Sequence, residues 1–171
     1  MTVASHLRSI VTALALVIAS PALAADMPAV APTVAGVWWT PEHDGKIEIT
    51  VDGSGSGGAT GRLIALAPAD ADNLDDNNPD PSLRTQRVLG LVILRNFWSG
   101  KSGMWSRGRI YDPDSGTTYA GTLVLDGNDR LSMKSAVLFG LVARTVVLTR
   151  VAGPLPATQQ PGEPDLVYFK R

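Results

Sequence analysis

The chain contains no cysteine, so it can form neither disulfides nor thiolate metal sites. Histidine is nearly absent as well. His6 lies in the apolar N-terminal segment, which leaves His43 as the one histidine in the rest of the chain. A catalytic triad or a His-ligated metal centre would depend on this single residue in a turn-like sequence. We therefore predict no catalytic residue, no metal ligand and no cofactor, and we expect that the protein is not an enzyme.

The chain also has no marked excess of acidic or basic residues and few long apolar runs. The formal net charge is −1, and because an electrostatic nucleic-acid binder needs a basic face, we expect no nucleic-acid partner.

The apolar run at residues 10–19 is too short to cross a bilayer and is followed by a helix-breaking proline and small residues. This pattern predicts a signal peptide over residues 1–25, cleaved near Ala24 or Ala25. The expected mature protein is periplasmic or secreted and has no transmembrane segment.

The rest of the chain divides into three predicted parts. Residues 26–34 are rich in Ala and Pro and are predicted to form a flexible leader. Residues 35–152 are predicted to form one folded domain, the β-barrel described next. Residues 153–171 form a Pro- and Gln-rich C-terminal tail, whose last residues either pack back onto the domain or fray.

Short β-like runs fill the predicted domain. Residues 46–51 alternate polar and apolar side chains, which is the period of a half-buried strand. Similar runs, separated by Gly, Asp, Asn and Pro, cover residues 61–66, 88–94, 107–111, 117–125, 130–134 and 141–150. The spacing is typical of an antiparallel barrel or sandwich. We predict an all-β fold, a single antiparallel up-and-down β-barrel of about eight strands, because closure removes exposed strand edges.

Two groups of acids are candidates for ligand chemistry. The first group is clustered in one loop, where hard oxygen ligands suit calcium, although its spacing does not match an EF-hand; it comprises Asp70, Asp72, Asp75, Asp76 and Asp80. The second is the pair Asp112 and Asp114, which flanks Pro113 and resembles a glycosidase pair. Turn capping of backbone N–H groups is the alternative for both groups, and we favour it.

The aromatic residues lie on or beside predicted strands. Trp38 and Trp39 are adjacent, so one indole must point into the barrel and the other outward. Inward aromatic side chains either line a ligand cavity or fill the core, and we favour the core because small barrels are usually packed solid.

Three blocks of sequence carry a resemblance to a known family. They are Asn-Asn-Pro-Asp-Pro-Ser-Leu-Arg at residues 77–84, Gly-Arg-Ile-Tyr-Asp-Pro with Ser-Gly and Thr-Tyr at residues 108–119, and the last strand at residues 140–150. Together they resemble the exported bacterial proteins of domain-of-unknown-function family 2147, over residues 36 to about 151. This family is similar in architecture to calycins, so the resemblance implies a lipocalin-like barrel. The residues taken as its structural motif are Gly36, Trp38, Asn78, Pro79, Asp80, Pro81, Asp112, Pro113, Gly116 and Arg144.

The resemblance also implies how one end of the barrel is closed. Gly36-Val37-Trp38 matches the short Gly-x-Trp motif of lipocalins, in which a late-strand arginine covers the tryptophan. Either Arg144 or Arg150 is expected to take this place. The chain departs from the family pattern at three positions, where a Gly-Ser loop replaces a frequent cysteine pair, Ser135-Ala136 replaces a Gly-rich turn and Leu148 replaces a tryptophan.

The resulting functional hypothesis is a lipocalin-like protein that binds a small apolar or amphipathic ligand at the barrel mouth. The candidate ligand-binding residues are Trp38, Arg84, Trp105 and Tyr111. Arg84 either pairs with an anionic head group or forms a salt bridge to a loop aspartate. The alternative hypothesis is a solid-core interaction module that binds an envelope protein partner through Trp98, Trp105 or the C-terminal tail.

Overall fold

The computed structural model describes residues 33–53, 58–100, 103–137, 142–152 and 162–170. The predicted signal peptide, most of the leader, residues 54–57 of the Gly-Ser loop and residues 153–161 of the tail lie outside this part of the chain.

Eight antiparallel strands form a closed barrel, which confirms the predicted fold. The strands are β1 Gly36–Trp39, β2 Gly45–Val51, β3 Gly58–Leu66, β4 Val92–Ser99, β5 Met104–Asp112, β6 Thr117–Asp126, β7 Arg130–Val137 and β8 Val142–Arg150. Each strand pairs with the next along the chain, and β1 pairs with β8, so the meander closes on itself. In the described residues the helical content is a single 3-10 turn, Pro81–Leu83. None of these residues forms a helix that is long and apolar enough to cross a membrane.

The barrel has two ends that differ in their connections. The mouth end carries the β1–β2 hairpin (residues 40–44), the long β3–β4 loop (residues 67–91) and the β5–β6 turn (residues 113–116). The closed end carries the β4–β5 and β6–β7 hairpins, together with the start of β1 and the end of β8. Trp38 pairs with Arg150 at the closed end.

The interior of the barrel is filled by large apolar side chains. Phe97, Leu94 and Leu123 are completely buried in one cluster with Trp38. Their size is accommodated by glycines on the neighbouring strands: a Cβ at Gly108 would lie 2.2 Å from the Phe97 ring, closer than real side chains approach. The interior is therefore a packed core, as expected for a small barrel.

The predicted strand over residues 88–94 is wrong in its position. Residues 88–91 belong to the loop, where Gly90 has φ of +100° and Leu91 donates a backbone hydrogen bond to Val88. Strand β4 begins at Val92 and continues to Ser99. The sequence pattern missed its second half because Asn96 has φ of 58° and the register shifts there, which breaks the polar–apolar alternation.

The C-terminal residues 162–170 pack on the outside of the barrel rather than fraying. Val167–Tyr168 forms a short strand, β9, that pairs with the mouth-end half of β3. Leu166 is buried against Trp39, which points outward and is itself only 8% exposed. The outward tryptophan is thus covered by residues 162–170, and these residues are part of the folded domain.

The leader also contributes to the domain at its last residue. Val34 is fully buried in the interior cluster, and its carbonyl accepts a hydrogen bond from the indole N–H of Trp38 at 2.9 Å. The predicted boundary between the leader and the barrel therefore lies too late in the chain.

Candidate functional site

A cavity of about 580 Å³ opens at the mouth end of the barrel. It lies between the β1–β2 hairpin, the end of β3, the β3–β4 loop and the β5–β6 turn. Its apolar surface comes from Leu63, Leu66, Leu74 and Val88. Its ionisable lining residues are all acids, namely Glu42, Asp44, Asp70, Asp76 and Asp114. An apolar surface beside a negative rim is suited to an amphipathic molecule with a positively charged or hydrogen-bond-donating head.

The β1–β2 hairpin holds one wall of this cavity in place. The Thr40 hydroxyl donates to the Asp44 carboxylate at 2.6 Å and accepts from the backbone N–H of Gly45 at 2.9 Å. His43, with φ of 58°, turns its ring away from the cavity and stacks on Trp39, with ring centroids 5.0 Å apart. The hairpin is therefore rigid, and its histidine contacts a tryptophan instead of the cavity.

A buried aspartate organises the β3–β4 loop. Asp75 is 1% exposed, and its carboxylate accepts hydrogen bonds from the Tyr111 hydroxyl at 2.5 Å and from the Asn78 amide at 2.6 Å. Burial, followed by the hydrogen bond to Asp75, raises the pKa of Tyr111 to about 12. The tyrosine therefore stays neutral and acts as a donor that fastens the loop to β5.

The Asn-Pro-Asp-Pro segment of the loop is held by its own polar groups. Asp80 accepts hydrogen bonds from the hydroxyl and the backbone N–H of Ser82, and these bonds lower the pKa of the Asp80 carboxyl. Asn78 accepts from the backbone N–H of Asp80, while the Arg84 guanidinium donates to the Asn78 carbonyl at 2.8 Å. These contacts make the segment a rigid cap with an N-capped 3-10 turn.

The two motif blocks of the sequence contact each other at the mouth. The Asn77 amide donates to the carbonyl of Asp114 at 2.8 Å. Gly116 has φ of +66° and lies so close to Asn77 that a Cβ would be 1.8 Å from its carbonyl oxygen. Within the turn, Asp112 accepts from the backbone N–H of Asp114 and from the Ser115 hydroxyl. Rigid turn chemistry in both blocks therefore positions the loop on the turn.

Most of the candidate calcium and glycosidase acids make structural contacts, whereas Asp76 and Asp114 line the mouth cavity. Asp70 accepts from the Asn73 amide, and Asp72 forms an ion pair with Arg87. Asp112 caps the β5–β6 turn. In the described part of the chain, no group of three or more acids or histidines is arranged to hold a metal ion.

Four residues were predicted to bind a ligand, and the structure does not bring them together. Trp38 is completely buried at the closed end, so its assignment to a ligand site is wrong. Trp105 is half-buried and also lies towards the closed end, opposite Leu123. Arg84 does not line the mouth cavity, and Tyr111 lies behind the loop.

Of the two arginines expected to cover Trp38, the structure places Arg150 there and not Arg144. Arg150 occupies this position, with its guanidinium 4.0 Å from the centre of the indole ring. Arg144 is exposed and lies six residues earlier on β8, which at 3.3 Å per residue is about 20 Å away.

The sequence did not predict Leu63 and Leu66 as residues that line the mouth cavity. The alternation of polar and apolar residues in β3 indicates which side chains are buried, but it does not show which end of the strand lies at the mouth.

The sequence profile of DUF2147, a family of uncharacterised proteins conserved in bacteria, matches residues 36–150. The structure of protein HP1028 from the human pathogen Helicobacter pylori, described as belonging to the lipocalin family, is similar to the barrel with a TM-score of 0.61. The two chains are 20% identical, and the similarity covers 71% of this chain and 84% of HP1028. No curated protein matches the chain. At this identity the likeness concerns the fold alone.

Proposed function

Because the chain belongs to the DUF2147 family and has a lipocalin-like fold, we propose that it binds a small amphipathic molecule at the mouth end. The observation that carries this proposal is the cavity of about 580 Å³, with its apolar surface and acidic rim. Clefts of several hundred Å³ are typical of small-molecule sites, and in this one the polar groups outweigh the apolar surface, which favours a ligand with a polar head.

The packed interior limits how deep the ligand can lie. Leu94, Phe97 and Leu123 occupy the centre of the barrel, so the ligand is proposed to rest on the mouth-end side chains. Its apolar part would contact Leu66, Leu74 and Val88, and each Å² of apolar surface removed from water contributes about 25 cal/mol. A positively charged head would lie beside Asp76 and Asp114, where attraction is moderate because the rim is exposed to solvent and salt.

We further propose that the protein works as a binder after export rather than as an enzyme. The apolar run and small residues in the first 25 positions support export. The stacking of His43 on Trp39 supports binding over acid–base catalysis, because a general base must reach its substrate.

Binding of three alkyl probes of equal length, with ammonium, hydroxyl and carboxylate heads, would test the proposal by calorimetry. We expect the ammonium probe to bind best and the carboxylate probe to bind weakest. Leu74→Ser removes apolar surface at the mouth, and Met104→Ser is its matched control because both residues are nearly half exposed at opposite ends. Asp76→Asn is paired in the same way with Asp126→Asn in the distant β6–β7 hairpin.

The mouth variants are expected to weaken binding several-fold, while the closed-end controls leave it unchanged. Equal losses in both sets, or no binding of any probe, would contradict the proposed site. A mass spectrum of material extracted from the protein purified from its source would then identify the natural ligand class.

A further inference from the structure

Two arginines face each other on the outside of the barrel. Arg95 on β4 and Arg109 on β5 are directly opposite in the strand register, and both are exposed. Like charges directly opposite each other on neighbouring strands destabilise a sheet. Arg109 has Ala120 as its neighbour on β6, so no charge on that side compensates it. Within the described ranges neither arginine forms an ion pair.

These arginines lie at a second cavity, distinct from the mouth. It has a volume of about 240 Å³ and lies between the outer face of β4–β6 and the β3–β4 loop. Leu83, Val92 and Ile93 supply apolar surface, and Thr118 supplies a hydroxyl. The cavity thus combines two cations with a short apolar wall.

The one acid that lines this cavity is already engaged. Both oxygens of the Asp75 carboxylate accept hydrogen bonds, one from Tyr111 and the other from Asn78. Asp75 forms no ion pair with either arginine. The cavity therefore holds two guanidinium groups against one committed carboxylate, an excess of positive charge in a chain whose net charge is −1.

From this juxtaposition we propose that Arg95 and Arg109 form a binding site for a phosphate group carried on a small apolar substituent. Guanidinium groups offer planar forks of N–H donors that match phosphate oxygens two at a time. A phosphate monoester carries close to two negative charges and so neutralises both arginines, whereas a monocarboxylate neutralises one. The substituent packs on Leu83 and Ile93. The proposal is independent of ligand binding at the mouth.

The first test is calorimetric titration of the full chain with inorganic phosphate and phenyl phosphate, at an ionic strength held constant with chloride. We expect phenyl phosphate to bind more tightly than inorganic phosphate because of the apolar wall. Arg95→Gln and Arg109→Gln should each weaken binding about tenfold or more. Lys134→Gln, which removes one exposed cation on β7 outside the cavity, is the matched control and should change binding less than about twofold.

A second measurement separates a ligand site from a structural role. In chloride buffer, Arg95→Gln should raise the Tm, because it relieves the repulsion, and the further increase that phosphate produces should be much smaller than in the wild type. A Tm that falls in chloride would show that the arginine is held by partners within the protein, and it would overturn the proposal. Equal loss of binding in Lys134→Gln, or no binding of either phosphate, would overturn it as well.

Vesicles distinguish the two sources of the phosphate. Sedimentation with phosphatidylcholine vesicles containing phosphatidic acid, lost in Arg95→Gln and Arg109→Gln, would support the site and assign it to a lipid head group. Binding of phenyl phosphate without vesicle binding would support the site and assign it to a soluble phosphate ester.

Discussion

The guanidinium group of Arg150 covers the indole ring of Trp38 at the closed end of the barrel, with its central carbon 4.0 Å from the ring centre. The same group donates hydrogen bonds to the carbonyls of Ala35, Thr33 and Asn128, which belong to two separate segments. Gly36 makes this approach possible, since a Cβ there would lie 2.5 Å from an Arg150 nitrogen. One arginine therefore joins the start of β1, the β6–β7 hairpin and the core.

We predict that Arg150→Met destabilises the fold by about 1–3 kcal/mol, because it removes the cation over the indole and leaves the main-chain acceptors without their donor. The free energy of unfolding from urea titration measures the change. Arg144→Met removes an exposed arginine from the same strand and should shift stability by less than about 0.5 kcal/mol. Similar losses in the two variants would show that Arg150 has no special role in closing the barrel.

A methyl group at Gly108 is predicted to overpack the core. Gly108→Ala would place a Cβ 2.2 Å from the Phe97 ring, and the expected cost is about 1–3 kcal/mol. Gly53→Ala adds the same group where no atom lies within 4 Å and is the control. Adding Phe97→Leu to Gly108→Ala should recover part of the loss. If Gly108→Ala unfolds at the same urea concentration as Gly53→Ala, the interior is looser than described.

The buried ion pair between Lys46 and Glu163 is predicted to hold the C-terminal segment on the barrel. Lys46 is fully buried, lies 2.7 Å from the Glu163 carboxylate and also donates to the Tyr168 hydroxyl. Glu163→Gln leaves a buried ammonium without its counter-charge, a change that costs about 3–5 kcal/mol in a rigid site. Release of the segment would limit that cost by letting water reach the ammonium.

Hydrogen exchange measures this release. The amides of residues 166–169 should exchange faster in Glu163→Gln, while those of β5 and β6 keep their protection. Asp165→Asn changes an exposed acid in the same segment and should exchange like the wild type. Unchanged protection of the segment in Glu163→Gln would mean that the apolar contacts of Leu166 alone hold it.

Alkaline pH is predicted to weaken the attachment of the β3–β4 loop through Tyr111. Its pKa is raised from 10.0 to about 12, so the fold favours the neutral phenol. The stabilising contribution is therefore complete below pH 10 and is lost as pH rises from 10 to 12. In Tyr111→Phe the free energy of unfolding should be lower at neutral pH and should fall less steeply across this range. Tyr119→Phe, which keeps the Tyr111–Asp75 bond, is the control, and identical slopes for all three proteins would refute the linkage.

Local sequence rules predicted much of the barrel because they depend on neighbouring residues. Alternation in residues 46–51 and the Asp-Pro-Asp-Ser-Gly turn after β5 both appear where expected. Strand β4 was misplaced because a bulge at Asn96 breaks the alternation, and a bulge has no reliable pattern in sequence. The capping role of the loop acids could be predicted because an aspartate side chain readily accepts from a backbone N–H two residues later. Asp80 does so from the N–H of Ser82.

The residues of the sites depended on contacts across the chain. The residues that flank Arg144 and Arg150 in the sequence do not show which of the two covers Trp38. The pairing of β8 with β1 places Arg150 there. Arg95 and Arg109 lie opposite each other because of the register between β4 and β5, which is set by long-range strand pairing. The amino-acid sequence alone thus established an all-β barrel with rigid Asn-Pro and Asp-Pro turns, since period and turn chemistry are local. Tertiary structure decided which end is closed, that the interior is filled, and where the two cavities lie, because these properties arise from side chains that meet only after the barrel closes.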